Sequence, residues 1–478
     1  MSSATPRAAS SRWLVLVLVC LAQFMVILDA TIVNVALPAI QTDLGFSAAD
    51  LPWVVNAYTL LFGGFLLLGG RAGDLFGRKR LFLAGIALFT TASLLDGLST
   101  SPAMLVAARA AQGLGAALVS PAALSIITTT FTEPAERTRA LGIWAGIAGG
   151  GGAIGLLAGG FLTDALSWEW NFFINVPIGL ATLALAVRHV PESRIAKDGP
   201  FDLGGALLAT IGLVLLTYAI VKAQDWGWVD GRTLGIGGGG LAVLAAFVAF
   251  EARHPSPLVR LDILRTRSLA VANTTLLLVV GAMFSMFFFG SLYLQQIRGF
   301  DALETGLAFL PFTLGIILGS VLSQGLIQRF GVKAVLLSGL LVGTLGMVFM
   351  TGLGPDSSYV SGFLPGIVLL ALGIGNTFVP LTLTATSGVD PEHAGLASGV
   401  FNTAQQVGGA LGLAILSTVA ADVTGASTAA ASLVDGYTAA FTVGAGLMVG
   451  GIVLTALLLR RRDVEDLATT AEAALVAA

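Results

Sequence analysis

Apolar stretches about one bilayer thickness long recur along the whole chain, and short segments carrying most of the charge separate them. They predict helical spans at roughly 13–37, 52–70, 81–99, 103–128, 140–163, 171–188 and 203–222. The series continues at roughly 234–251, 269–295, 303–327, 334–352, 360–384, 395–420 and 437–459. The pattern is therefore all-α and integral to a membrane, with about fourteen spans. Every joining segment is short, so no soluble domain is expected. The stretches near 189–202 and 252–268 carry Pro and charge and read as surface loops, and the Ala-rich end 464–478 reads as a cytoplasmic tail.

Composition sharpens this picture. Of the 478 residues, 56% are hydrophobic and 11% charged, where soluble domains carry about 25% charged residues. Mean hydropathy is +0.90. A net charge of −3 gives no reason to expect a nucleic-acid partner. The single Cys20 excludes an internal disulfide framework, and three dispersed His (189, 254, 393) argue against a His/Cys metal site. No cofactor is called for. Arg7 and Arg12 precede the first apolar run as in a signal peptide, but that run is too long and lacks a small-residue cleavage site, so it reads as the first span.

Basic residues orient the spans. If the chain starts inside, twenty of its 24 Lys and Arg residues fall in cytoplasmic segments, among them Arg71, Arg78, Lys79, Arg80 and the run Arg460–Arg462. Both termini are thus expected in the cytoplasm, in a multi-pass protein of the cell membrane. The two halves also echo one another. In "ALGIWAGIAGGGGAIG" (140–155) and "ASGVFNTAQQVGGALG" (397–412), Gly142, Gly151, Gly152 and Gly155 align with Gly399, Gly408, Gly409 and Gly412. "LFGRK" (75–79) matches "RFGVK" (329–333) at nearly the same displacement. The expected organisation is a six-helix bundle over 1–200, two extra central helices over 201–252, and a second six-helix bundle over 253–463.

The loop "GRAGDLFGRKR" (70–80) joins a Gly-rich turn, an acid and a basic cluster at spacing G-x3-D-x2-G-R-K-R. It resembles the loop signature of the major facilitator superfamily. "LDATIVNVALP" (28–38), "RAAQGLGAA" (109–117), "WEWNFFINVPIG" (168–179), "YLQQIRGFDALETGLAFLP" (293–311) and "AGLASGVFNTAQQVGGALG" (394–412) are similar to patterns of its fourteen-span drug:proton antiporters. The resemblance implies the major facilitator fold, transport of a small molecule by alternating access, and protons as the coupled partner in a protein working as a monomer. It also implies that Gly70, Asp74, Gly77 and Arg78 form a conformational gate rather than a substrate site. Two positions depart from the pattern. Leu156 follows Gly155 where the antiporters have Pro, and Glu169 stands where they have Arg.

One carboxylate and one guanidinium, Asp29 and Arg109, fall well inside predicted spans at similar depth. A charge at the centre of a spanning helix costs roughly 2.5–3.5 kcal/mol on insertion scales, so such groups face a bundle interior or an aqueous cavity. The bland alternative is a structural ion pair between helices. In the functional one, a carboxylate beside a guanidinium holds its proton less tightly than one buried alone, so separating the two is a route to proton uptake. Asn34, Gln112, Asn273, Phe288, Tyr293, Gln295, Asn376, Asn402 and Gln405 are further candidates for the wall of a central cavity, with interhelical hydrogen bonding or core packing as the competing role. The implied function is proton-coupled efflux of lipophilic drugs or antibiotics, cationic ones included. Export or proton-coupled import of one endogenous metabolite is the open alternative. A fourteen-span peptide importer would carry E-x-x-E-R in its first helix, a membrane enzyme a catalytic or Walker A constellation, and a retinal receptor a mid-span Lys; none is present.

Overall fold

The computed structural model describes residues 6–193, 202–255, 257, 266–386, 394–425 and 427–460. Among them it is built from helices, without a strand: α1 (Pro6–Leu44), α2 (Trp53–Phe76), α3 (Arg78–Gly97), α4 (Pro102–Thr130), α5 (Pro134–Ala165), α6 (Trp170–Phe173), α7 (Asn175–His189), α8 (Leu203–Trp226) and α9 (Gly231–Glu251). The second part of the chain adds α10 (Arg267–Leu292), α11 (Ala302–Ala308), α12 (Leu310–Phe330), α13 (Val332–Met350), α14 (Leu364–Thr386), α15 (Ala394–Thr424) and α16 (Ala430–Leu458). Single π-helical turns at Tyr293–Ile297 and Tyr359–Phe363 extend α10 and precede α14. Thirteen helices among the described residues are long and apolar enough to cross a membrane; α5 is a further 32-residue helix, in which Ile154–Ala165 is a shorter apolar stretch. The tail 464–478 and the basic residues Arg194, Lys197, Arg260, Arg265, Arg461 and Arg462 lie outside the described residues.

Two expected boundaries move. The sequence pattern stops the first span at 37, before Pro38, yet α1 runs on to Leu44 through that proline. Proline removes one N–H from the ladder, and a neighbouring side chain can serve the carbonyl it frees. The last helix begins at Ala430, about two turns before the expected 437. At its far end, Lys333 Nζ donates to the carbonyls of Ala456 (2.9 Å) and Leu459 (2.6 Å), and Arg267 Nε to that of Leu458, covering unpaired acceptors with cations.

Helices α1–α7 pack as one bundle and α10–α16 as a second, and they meet along α2 with α15 and along α5 with α11 and α12. Exchanging the halves maps one seam onto the other, and the sequence echo explains why. Three of its four aligned glycine pairs do the same work twice, α5 lying on α1 and α15 on α10, while Gly142 meets nothing and Gly399 faces Leu67 of α2. A Cβ on Gly151 would meet Ile27, and one on Gly155 the Leu28 carbonyl at 3.0 Å. A Cβ on Gly408 would meet the Leu277 carbonyl at 2.6 Å, and one on Gly412 the backbone of Gly281 at 2.8 Å. Gly77 and Gly331, aligned by the shorter echo, both take positive φ (107° and 80°) between consecutive helices. Without a hydrophobic drive between helices in lipid, this small-residue contact is what lets backbones approach.

The extra pair α8–α9 lies on the α2–α15 seam. Gly64 of α2 leaves room for Thr210, and Thr418 of α15 donates to the carbonyl of Ile220 (3.1 Å). Only 11% of the apolar window of α9 is buried, so this helix faces outward. Gly412→Ala should lower the melting temperature of detergent-purified protein by an overpacking cost of about 1–3 kcal/mol, because its Cβ meets backbone that cannot rotate away. Gly235→Ala, where a Cβ meets nothing within 4 Å, should be neutral or stabilising.

Candidate functional site

Five helices of the first bundle converge on one fully buried polar cluster. Asp29 on α1 and Arg109 on α4 form a direct ion pair, Nη1 to Oδ2, at 2.5 Å. Gln112, one turn beyond Arg109, accepts from the same Nη1 through Oε1 and donates through Nε2 to Asp29 Oδ1 (2.7 Å) and Ser93 Oγ (2.7 Å) on α3. Asn175 on α7 donates to Asp29 Oδ1 (3.0 Å), and Arg109 Nε donates to the carbonyl of Val54 on α2 (3.0 Å). The guanidinium lies 4.4 Å from the ring centroid of Tyr58 and 5.7 Å from that of Phe172. Spacing builds this locally. Positions 109 and 112 share a face of α4, where the side chain of one turn lies beside that of the next.

The cluster shows how a membrane protein can carry a charge pair at depth. Removing both ions from water costs several kcal/mol each, which their attraction offsets only if the remaining lone pairs and protons are also bonded. Here each Asp29 oxygen accepts from a donor and the rings of Tyr58 and Phe172 pack near the guanidinium. Some polar atoms nearby remain without partners. Both side-chain oxygens of Asp96, one turn beyond Ser93 on α3, are buried without a hydrogen-bond partner, as are Asn175 Oδ1 and both amide atoms of Asn56. The sequence marks Asp29 and Arg109 as the charges at depth, and the structure adds Asp96 as a further buried acidic side chain. Asn175 sits inside a quoted motif, whereas Ser93, Tyr58 and Asp96 carry no signal beyond the i, i+3 spacing of Ser93 and Asp96.

The cavity candidates disperse. Gln112 belongs to the cluster rather than to an open wall. Phe288 is buried edge-to-face on Phe289 (5.1 Å between centroids), and Tyr293 stacks on Phe363 and donates to the Gly354 carbonyl (2.9 Å), so both are core of the second bundle. Asn273 bonds its own helix at Leu269 (2.8 Å), and Asn376 ties α14 to Ser338 of α13 (3.0 Å). Asn34 turns its amide back onto Ala30 and Thr31 (both 3.2 Å). Gln295 reaches across to the first bundle at Val35. Asn402 is exposed and Gln405 half-buried on α15.

The expected 70–80 loop is helical on both sides, ending α2 at Phe76 and starting α3 at Arg78 with Gly77 alone between them, and this corner is fastened from α7 and the residues after it. Arg78 N–H donates to the Ser193 carbonyl (3.0 Å), Lys79 N–H to Glu192 Oε1 (3.1 Å), and Lys79 Nζ to the Val187 carbonyl (2.7 Å). The Glu192 carboxylate occupies the space a Cβ on Gly77 would need, with Oε1 2.7 Å away. A Cβ on Gly70 would meet Pro121 at 3.6 Å, and the side chain of Asp74 lies outside the described residues.

Residues 19–413 match the profile of the Major Facilitator Superfamily. The chain is 43% identical over 460 residues to the puromycin resistance protein pur8 of Streptomyces alboniger, covering 94% of this chain and 90% of that protein. It is 42% identical over 447 residues to the cephamycin export protein CmcT of Amycolatopsis lactamdurans, covering 93% and 92%. In fold it is similar to a solved peptide transporter POT in complex with sulfate, with TM-score 0.70, 16% identity, and 94% and 95% of the two chains covered. Leaving either ion of the cluster alone should cost about 3–5 kcal/mol. Asp29→Leu and Arg109→Leu should therefore each depress thermal stability sharply, and the double variant should lose less than their sum. Additive losses in purified protein would show that the two charges do not support each other.

Proposed function

The chain belongs to the major facilitator superfamily and is a transporter rather than an enzyme, and on that premise we propose that it exports lipophilic drugs or antibiotics in exchange for protons. Export is supported by the relatives named above, which match over nine-tenths of the chain. Coupling rests on one observation, the Asp29–Arg109 pair sealed inside the first bundle. In this reading Asp29 is the proton carrier. While Arg109 and Gln112 hold it, the carboxylate is paired. When α1 or α4 shifts within the first bundle during the cycle and the cluster loosens, it loses its cation and takes a proton, because an unpaired charge at that depth is costly. Substrate binding and protonation then favour opposite states, which makes the exchange obligatory.

The rocking bodies are residues 1–200 and 253–463, turning about the α2–α15 and α5–α11 seams, with the termini in the cytoplasm and the protein working as a monomer in the cytoplasmic membrane. The α2–α3 corner over 70–80 acts as a gate on the face that carries the termini, through Gly70, Asp74, Gly77 and Arg78. Gly77 suits this role because Glu192 leaves it no room for a side chain.

Asp29→Asn keeps the shape of the site and removes the titrating group. In proteoliposomes with an imposed pH gradient, the parent should accumulate puromycin or a cephamycin against its gradient. The variant should lose at least about 90% of that uphill transport, in keeping with a step that depends on a single acid–base group. Equal uphill transport by both would place the coupling elsewhere. Cells expressing the protein should also lose their resistance advantage when an uncoupler is added. Reporter fusions after Arg80 and Arg462 should report the cytoplasm, and external activity at either point would overturn the orientation.

A further inference from the structure

Three prolines stand inside long helices among the described residues: Pro38 in α1, Pro121 in α4 and Pro380 in α14. Each lacks an N–H, so the carbonyl four residues earlier loses its place in the helical ladder: Asn34, Ala117 and Asn376. In an apolar setting such a carbonyl needs another partner. For Asn376 it is the hydroxyl of Ser323 on α12 (3.4 Å), within the same bundle. The Ala117 carbonyl is covered by the close approach of Gly69 on α2, also within its bundle. Asn34 is different, since its carbonyl accepts from Ser291 Oγ (2.8 Å) on α10, a helix of the opposite bundle.

A second bond lies beside it. Gln295, one turn beyond Ser291, donates from Nε2 to the carbonyl of Val35 (2.8 Å) and to Ser291 Oγ (3.1 Å). Gln295 sits on the π-helical turn that follows α10. Its neighbour Gln296 donates to Gln41 Oε1 (3.1 Å) and is itself held by Tyr437 (2.9 Å). These contacts join the bundles on the face opposite the termini, where Pro38, Thr42, Gln295, Gln296 and Phe300 line an open cleft of about 800 Å³. A carbonyl bared by proline is thus capped across the very boundary that must part if the bundles rock.

We propose that Pro38, Ser291 and Gln295 form a clasp that closes this face, Pro38 by baring the Asn34 carbonyl and the other two as the positioning residues that hold it. With the clasp made, both carbonyls are paired within protein. With it broken, the Asn34 carbonyl, which Pro38 deprives of its helical partner, must be paired by water in the opened cleft. The clasp therefore sets the equilibrium between the closed and open states of this face. It gives the proposed rocking transport a defined outer closure and rests on that reading only for its role in the cycle.

Pair distances across the cleft test it. In a Cys20→Ala background, spin labels on Thr42→Cys and Val360→Cys report the separation of the two bundles at this face. Ser291→Ala should raise the open-to-closed ratio about fivefold, the loss of one ordinary hydrogen bond, and Gln295→Ala should shift it in the same direction. In a Pro38→Ala background the Asn34 carbonyl regains an N–H, so the effect of Ser291→Ala should fall towards onefold. Ser323→Ala removes the matching bond at Pro380 but both partners move together, so distances should not change. Thermal melting of each variant separates this from misfolding. A shift in the variants supports the clasp even if the parent never opens, a result that would count against rocking transport alone. Unchanged distances with Ser291→Ala and Gln295→Ala, or an equal effect of Ser291→Ala with and without Pro38, overturn it.

Discussion

An ionised carboxylate and a guanidinium cannot sit in a dry helix bundle unless nearly every lone pair and proton they carry is bonded. That constraint organises the first half of this protein. Asp29 and Arg109 are fully buried, and satisfying them draws one group each from α2, α3 and α7 as well as from α1 and α4. Helix positions that would otherwise be free to slide are thereby pinned in register at the bundle centre. The same bonds make the cluster responsive, since moving any one helix changes how well both charges are held.

The second constraint is geometric. In lipid, helices gain nothing by hiding apolar side chains from one another, so the bundles depend on close backbone contact and on pairing freed backbone groups. Glycines supply the contact, in matched sets on α5 and α15. Hydroxyls and amides supply the pairing, as Ser323 does for Asn376 and Ser291 for Asn34. What distinguishes rigid from movable parts is where the partner lies. Bonds inside one bundle survive a rocking motion, while those from α10 to α1 do not.

Much of this is legible in the amino-acid sequence. The many spans and the Asp29–Arg109 pair follow from a chain so poor in charge that each buried one stands out, and the two-bundle plan follows from the echo between the halves. The glycine echo is visible there as well, and its meaning is the duplicated helix packing. Less can be read where every face of a helix is apolar. Phe288 and Tyr293 are cavity candidates by sequence and core by packing, because lipid, core and cavity wall select the same side chains. Pro38 reads as an end to the first span, since its cost to a helix is local and the hydroxyl that meets it, Ser291, comes from more than 250 residues away. Asp96 hides near the end of a predicted span, where a carboxylate is unremarkable, and only packing reveals that it is buried.

The central claim is that Asp29, in the buried cluster, carries the proton that is exchanged for substrate. Its most direct test is proton release from detergent-purified protein in weakly buffered solution when puromycin is added. The account predicts release from the parent, dependent on pH, and none from Asp29→Asn at the same protein concentration. Release of equal size from Asp29→Asn would contradict it and leave the Asp29–Arg109 pair as a structural ion pair alone.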